Sequence, residues 1–147
     1  MGTKTNIDQL NSFLRGEISA VETYRMAIDK VDPNSPARIE LIANMDSHNQ
    51  RVMLLRDAIR ALGGEPADGS GPWGVLAKAI EGGARLLGDK AAVAALESGE
   101  DHGLKDYRKD LDELDPNGRA LVMTELLPQQ QQTHDRMSAL KKQLASA

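Results

Sequence analysis

The most constraining feature of this sequence is an internal repeat. When the chain is shifted by 83 positions, residues 16–37 align with residues 99–120 without a gap, and nine of the 22 aligned pairs are identical. Both copies carry a glutamate, a tyrosine and an arginine at the same spacing, in the pairs Glu17/Glu100, Tyr24/Tyr107 and Arg25/Arg108. The repeat therefore predicts two structural units of one design.

Each copy reads as a pair of helices joined by a turn. Apolar residues recur at alternating steps of four and three along the first helix, which is the spacing of a helix with one buried side. Proline and glycine divide the chain into four long helices, predicted near residues 5–31, 36–62, 90–114 and 117–145, and Pro128 should kink the last one. Two such hairpins side by side form a four-helix bundle.

The hairpins, residues 5–62 and 89–145, are joined by a crossover at residues 63–88 within one predicted domain, residues 1–147. Residues 73–87 of the crossover are predicted to form a short amphipathic helix. Only four of the 147 residues are aromatic. Because β-sheets favour aromatic side chains, this scarcity also indicates an all-α chain.

Composition excludes several classes of function. The chain has no cysteine, which rules out disulfides, thiol nucleophiles and cysteine-ligated metals. Its net charge of −4 argues against nucleic acid as a partner. Neither a membrane-spanning run nor a signal-peptide pattern is found, so we expect no membrane partner and a cytoplasmic location.

Glutamates and a histidine interrupt the apolar sides of these helices. Glu17, His48, Glu97 and Glu100 all occupy positions that should carry apolar side chains. Glu17 lies 16 residues before Pro33 and His48 lies 15 after it, so antiparallel helices would place both at one depth. In the second hairpin Glu100 and His134 are similarly disposed around Pro116. Because a buried carboxylate needs a partner, such a cluster is a candidate iron or manganese site.

Most of the chain resembles a bacterial ferritin-like family known as a domain of unknown function, and the resemblance is most specific in the second half. The resemblance is carried by these segments: Gly99-Glu100-Asp101 with Leu104, Tyr107 and Arg108; His134-Asp135-Arg136 with Leu140; and Leu62-Gly63-Gly64-Glu65-Pro66. More distantly, Gly-Glu followed seven residues later by Tyr is similar to rubrerythrins. The resemblance implies a ferritin-like bundle, metal ligands at Glu17 and Glu100, an extra carboxylate at Glu97, and oxidation of ferrous iron or peroxide handling.

The sequence also departs from that pattern. Ferritin-like di-metal sites use Glu-x-x-His on two helices, but Met45 and Gln131 stand where those glutamates should be. One hypothesis is thus an altered metal site with little or no turnover, formed by five residues: Glu17, His48, Glu97, Glu100 and His134. The alternative is a metal-free polar core, in which the glutamates bond to histidine, tyrosine or arginine.

In the metal-free alternative, the protein is an interaction or stress-associated module. It would form homo-oligomers or bind partners through its helix faces or its crossover. The apolar crossover residues suited to such contact are Trp73, Leu76, Ile80 and Leu87. No residue is identified as catalytic, so the sequence leans toward a protein that is not an enzyme.

Overall fold

A computed structural model of the chain describes residues 3–69, 88–109 and 111–146. All regular structure in these ranges is helical, which confirms the predicted all-α class. The helices are α1 (Thr3–Lys30), α2 (Ala37–Ala61), α3 (Asp89–Lys109), α4 (Pro116–Leu121) and α5 (Leu127–Ser146). A 3₁₀ turn, Leu111–Glu113, follows α3, and a π-helical turn, Val122–Leu126, joins α4 to α5.

Several helix ends coincide with the caps and breakers of the sequence, but α1 begins at Thr3 rather than near residue 5 and α3 ends at Lys109 rather than near residue 114. Before α2, the Ser35 hydroxyl accepts a hydrogen bond of 3.2 Å from the Ala37 N–H. After α2, Gly63 adopts a φ of +79°, a conformation that glycine tolerates and other residues rarely adopt. Before α4, the Asp115 carboxylate accepts a hydrogen bond of 2.7 Å from the Gly118 N–H.

Helices α4 and α5 continue each other through the π-helical turn. Pro128 has no N–H to donate to the carbonyl four residues earlier, and its ring crowds that carbonyl. The regular α-helical pattern is interrupted in the turn just before this proline. The distortion that the sequence predicts as a kink at Pro128 thus takes the form of one widened turn.

The helices pack as two hairpins. Contacts are most extensive between α1 and α2 and between α3 and α5, and the two hairpins meet through α1 with α3 and α2 with α5. This arrangement confirms the predicted four-helix bundle. The predicted crossover helix, with the association surface around Trp73, lies outside the described residues. None of the described helices combines the length and apolar character that a membrane crossing requires.

Two apolar clusters fill the bundle, one toward each end. One cluster contains Tyr24, Leu41, Leu96 and Met137, and the other contains Leu14, Leu55, Tyr107 and Leu126. A layer of buried polar side chains lies between them. The layer lies at the depth where the turn-to-residue spacing of the sequence places Glu17 and His48.

Candidate functional site

Every bundle helix contributes to this buried polar layer, which we call the central network. Its charged members are Glu17 from α1, His48 and Arg51 from α2, and Glu100 from α3, each less than 5% exposed. Its neutral members are Tyr24, Asn44, Tyr107, Gln130 and Thr133. Buried charges of this kind persist only when they are paired and hydrogen-bonded.

His48 bridges the glutamates of the two repeats. Its Nδ1 lies 2.5 Å from Glu17 Oε1, and its Nε2 lies 2.7 Å from Glu100 Oε2. Because both ring nitrogens face carboxylate oxygens, the ring is held as an imidazolium with two donors. Burial and Arg51 would lower the pKa of His48, but the charges of Glu100 and Glu17 raise it above its ordinary 6.5.

Arg51 supplies the second buried cation. Its Nη1 lies 3.3 Å from Glu17 Oε2 and also donates to Gln130 Oε1. Its Nη2 donates to Thr133 Oγ1 and to Ser47 Oγ, both at 3.1 Å. Two carboxylates therefore face two protein cations, so the network is electrically neutral without any added ion.

The carboxylates remain ionised despite their burial. Burial would raise the pKa of Glu17, but the charges of Arg51 and His48 lower it below 4.5. Burial likewise opposes ionisation of Glu100, yet the charge and hydrogen bond of His48 lower its pKa. Gln130 and Thr133 add donors to Glu100 Oε1, at 2.8 and 2.6 Å.

The two repeats exchange tyrosine hydrogen bonds. Tyr24 of the first repeat donates to Glu100 of the second, and Tyr107 of the second donates to Glu17 of the first. Burial and the adjacent carboxylates raise the pKa of both tyrosines well above 10, which keeps their hydroxyls protonated. The repeated Glu–Tyr spacing therefore acts across the hairpins rather than within one helix.

These crossed bonds give a first prediction. Tyr24→Phe and Tyr107→Phe should each lower the free energy of unfolding by about 1.5–3 kcal/mol, because each removes a donor to a buried carboxylate. Tyr24→Phe should cost more, since Asn44 Nδ2 also donates to the Tyr24 hydroxyl at 3.0 Å. Urea denaturation measures the two losses. Negligible losses would contradict the crossed arrangement, and equal losses would show that the Asn44 bond adds no stability.

Two of the five predicted site residues lie outside the central network. Glu97 accepts hydrogen bonds from Ser138 at 2.7 Å and from Lys141 at 3.0 Å, on the outer side of the α3–α5 pair. His134 lies 3.3 Å from Asp135 and 3.7 Å from Asp101, with its side chain 21% exposed. Thr133 takes the inward position, and the next residue points about 100° around the helix.

Sequence reasoning did not single out four members of the network. Asn44 and Arg51 flank His48 at four residues before and three after, on the same face of α2. Gln130 and Thr133 are buried at the same helical spacing of α5 as Met137 and Leu140. These residues could have been identified by counting steps of three and four residues from the apolar positions of each helix.

The central network does not fit a di-metal centre as its side chains stand. All four oxygens of Glu17 and Glu100 and both ring nitrogens of His48 have protein partners. A guanidinium, which cannot ligate a cation, occupies the same layer. Among the described residues, no three acidic or histidine side chains are arranged to hold a metal ion.

The architecture is that of the ferritin-like four-helix bundles. A solved structure described as "Crystal structure of ferritin like, diiron-carboxylate proteins from Bacillus anthracis str. Ames" matches with a TM-score of 0.63, over 99% of this chain and 98% of that chain. The two sequences are 20% identical, so the match establishes the shared fold.

The chain belongs to the family described as "Domain of unknown function (DUF2383)", whose model matches residues 5–113. No curated protein matches this chain in sequence. The family and the fold predicted from the sequence are both confirmed.

Proposed function

We propose that this protein is a non-catalytic ferritin-like bundle in which protein cations replace the metal ions at the centre. The observation that carries the proposal is the closed charge balance of His48 and Arg51 with Glu17 and Glu100. Such a core stabilises the fold without turnover. The protein then acts by association through its outer surfaces rather than by chemistry at its centre.

Charge arithmetic supports this proposal. A ferritin-like di-metal site sets four carboxylates against two divalent ions. Here two carboxylates are present, and Arg51 already contributes one positive charge. Two added divalent ions would leave a large uncompensated positive charge in a buried layer, which is strongly unfavourable at low effective dielectric constant.

A second candidate is a site for one iron or manganese ion. It is favoured by the convergence of Glu17, His48 and Glu100 at one depth, and by the match to a structure described as a diiron-carboxylate protein. Binding would require His48 to release a proton, because a ligating imidazole nitrogen must be unprotonated. A bound iron ion would supply redox chemistry. Glu97 and His134 are not ligands of this candidate site.

Metal analysis separates the two candidates. Protein purified from cells grown with excess iron and manganese should contain far less than stoichiometric metal, and neither EDTA nor added Mn²⁺ should change its Tm. This follows because the central carboxylates already have protein donors. Stoichiometric iron or manganese that disappears in Glu100→Gln but persists in Glu97→Gln would instead establish the second candidate.

A further inference from the structure

A cavity of about 180 Å³ opens beside the central network. Residues of α1 and α3 form its walls, and Glu17, His48 and Gln130 lie at its inner end. Phe13 and Tyr107 give it an aromatic wall, with ring centroids 4.7 Å apart and planes inclined by 50°. We call this space the α1–α3 cavity.

Two glycines shape the α1–α3 cavity in different ways. A Cβ atom at Gly16 would meet nothing within 4 Å, so this glycine keeps the cavity open. A Cβ atom at Gly103 would lie 2.6 Å from Gln130 Nε2, so this glycine admits Gln130 to the central network. The space beside Gly16 is therefore large enough to receive a side chain or a small ligand.

The inner end of the α1–α3 cavity offers a hydrogen-bond acceptor. Among the described residues, His48 is the one hydrogen-bond partner of Glu17 Oε1. Because each carboxylate oxygen has two acceptor positions, Oε1 can accept a second hydrogen bond. Glu100 is different, since each of its oxygens already accepts two hydrogen bonds.

A second carboxylate lies at the mouth of the α1–α3 cavity. Asp106 lies 3.3 Å from His102 in a pair whose side chains are 42% and 56% exposed, and such exposed pairs contribute little. The described residues that line the cavity include the imidazolium of His48 but no lysine or arginine. Because His48 and Arg51 balance the charges of the two buried glutamates, Asp106 gives the cavity a net negative charge. An aromatic wall between two carboxylates favours a cation with an apolar body.

We propose that the α1–α3 cavity binds a small organic ammonium ion. The ammonium group donates to Glu17 Oε1 and lies in the negative potential of Asp106, and its apolar body packs against Phe13 and Tyr107. The volume is comparable to cavities of about 150 Å³ that admit benzene. A ligand of this size is expected to bind with a dissociation constant on the order of 1 mM.

Benzylamine, benzyl alcohol and benzoate form a matched probe series for this proposal. Each is titrated into the full chain while amide NMR shifts are followed. Benzylamine should give saturable shifts around Gly16 and Gly103, benzyl alcohol should bind at least tenfold more weakly, and benzoate should not bind. Equal binding of benzylamine and benzoate, or no saturable shifts with benzylamine, would overturn the proposal.

Two variants locate the binding. Gly16→Leu should fill the α1–α3 cavity and abolish benzylamine binding, whereas Ala139→Leu, on the exposed side of α5, should leave it unchanged. Asp106→Asn keeps the cavity open, and should weaken benzylamine roughly threefold to tenfold with little effect on benzyl alcohol. If Gly16→Leu does not fold, the Asp106→Asn variant tests the proposal. Unchanged affinity of Asp106→Asn for benzylamine would then reject it.

Discussion

Replacing Arg51 with methionine is expected to lower the free energy of unfolding by about 3–5 kcal/mol at neutral pH. Methionine fills much of the volume of the arginine stem but supplies no charge. Among the described residues, the variant leaves Glu17 and Glu100 with His48 as the one cation within bonding distance. It also removes the donors that Arg51 directs at Gln130 and Thr133. The loss is large because a buried charge remains without its partner.

Arg60→Met is the matched control for this prediction. Arg60 lies on the same helix, its side chain is 62% exposed, and it lies 3.9 Å from Asp57. Its replacement should change stability by less than about 1 kcal/mol. Urea denaturation of both variants gives the comparison, with the slope against urea checked to be unchanged. Similar losses in the two variants would show that Arg51 does not act as a buried counter-ion.

A double variant isolates the charge effect from the packing effect. Arg51→Met with Glu17→Gln removes one positive and one negative charge, so the layer again carries no net charge. Because the two side chains lie 3.3 Å apart, the losses of stability in the two single variants should not be additive. We expect the double variant to be at least about 1 kcal/mol more stable than the sum of the single losses predicts. Strict additivity would contradict the proposed pairing.

The depth of the central network could be predicted from the sequence because depth depends on residue count alone. Glu17 and His48 lie at nearly equal distances from Pro33, and the structure places their side chains 2.5 Å apart. The repeat extends the same argument to Glu100, whose carboxylate contacts the other ring nitrogen of His48. The fold follows from the same features, since each copy of the repeat is one hairpin.

Direction around the helix was harder to predict than depth. The distance from Pro116 predicts His134 in the central network, but Thr133 and not His134 points inward. The π-helical turn before Pro128 alters the helical phase between the start of α4 and the middle of α5, and nothing in a count of residues reveals it. Glu97 shows the same limit, since Leu96 beside it takes the buried position.

Arg51 illustrates a different limit. Arginine beside a buried position commonly extends its stem along the apolar surface and places its charge in water. Here the guanidinium turns inward, because Glu17, Gln130 and Thr133 converge on it from α1 and α5. Those partners lie as many as 82 residues away along the chain. The choice between water and the core therefore depends on tertiary contacts that local sequence does not encode.

Glu100→Gln is the second substitution with a large expected effect, and its cost should depend on pH. Near pH 6 it should lower the free energy of unfolding by about 3–5 kcal/mol, because it breaks a buried charge pair and turns an amide N–H toward donors. The pKa of Glu100 lies below 4.5 in the folded protein. The stability that its charge contributes is therefore present above pH 4.5 and is lost as pH falls through that lowered value.

His48 determines how the free energy of unfolding declines at alkaline pH. Its folded pKa lies above 6.5, so its contribution is complete below pH 6.5 and is lost as pH rises through the raised value. The central network should thus stabilise the wild type most between about pH 4.5 and 6.5. In Glu100→Gln one of the two carboxylates that raise the pKa of His48 is gone, so the alkaline decline should be smaller and should end at lower pH.

Urea denaturation at a series of pH values measures how the free energy of unfolding falls at acid pH and at alkaline pH. Glu97→Gln, one turn earlier on α3 and bonded at the surface to Lys141, is the control and should cost less than about 1 kcal/mol near pH 6. A Glu100→Gln cost that is the same at pH 3 as at pH 6 would show that folding does not lower the pKa of Glu100, and a larger cost at pH 3 would mean that Glu100 is uncharged in the folded protein. The network would then carry a net positive charge, and Arg51→Met would stabilise the bundle rather than weaken it.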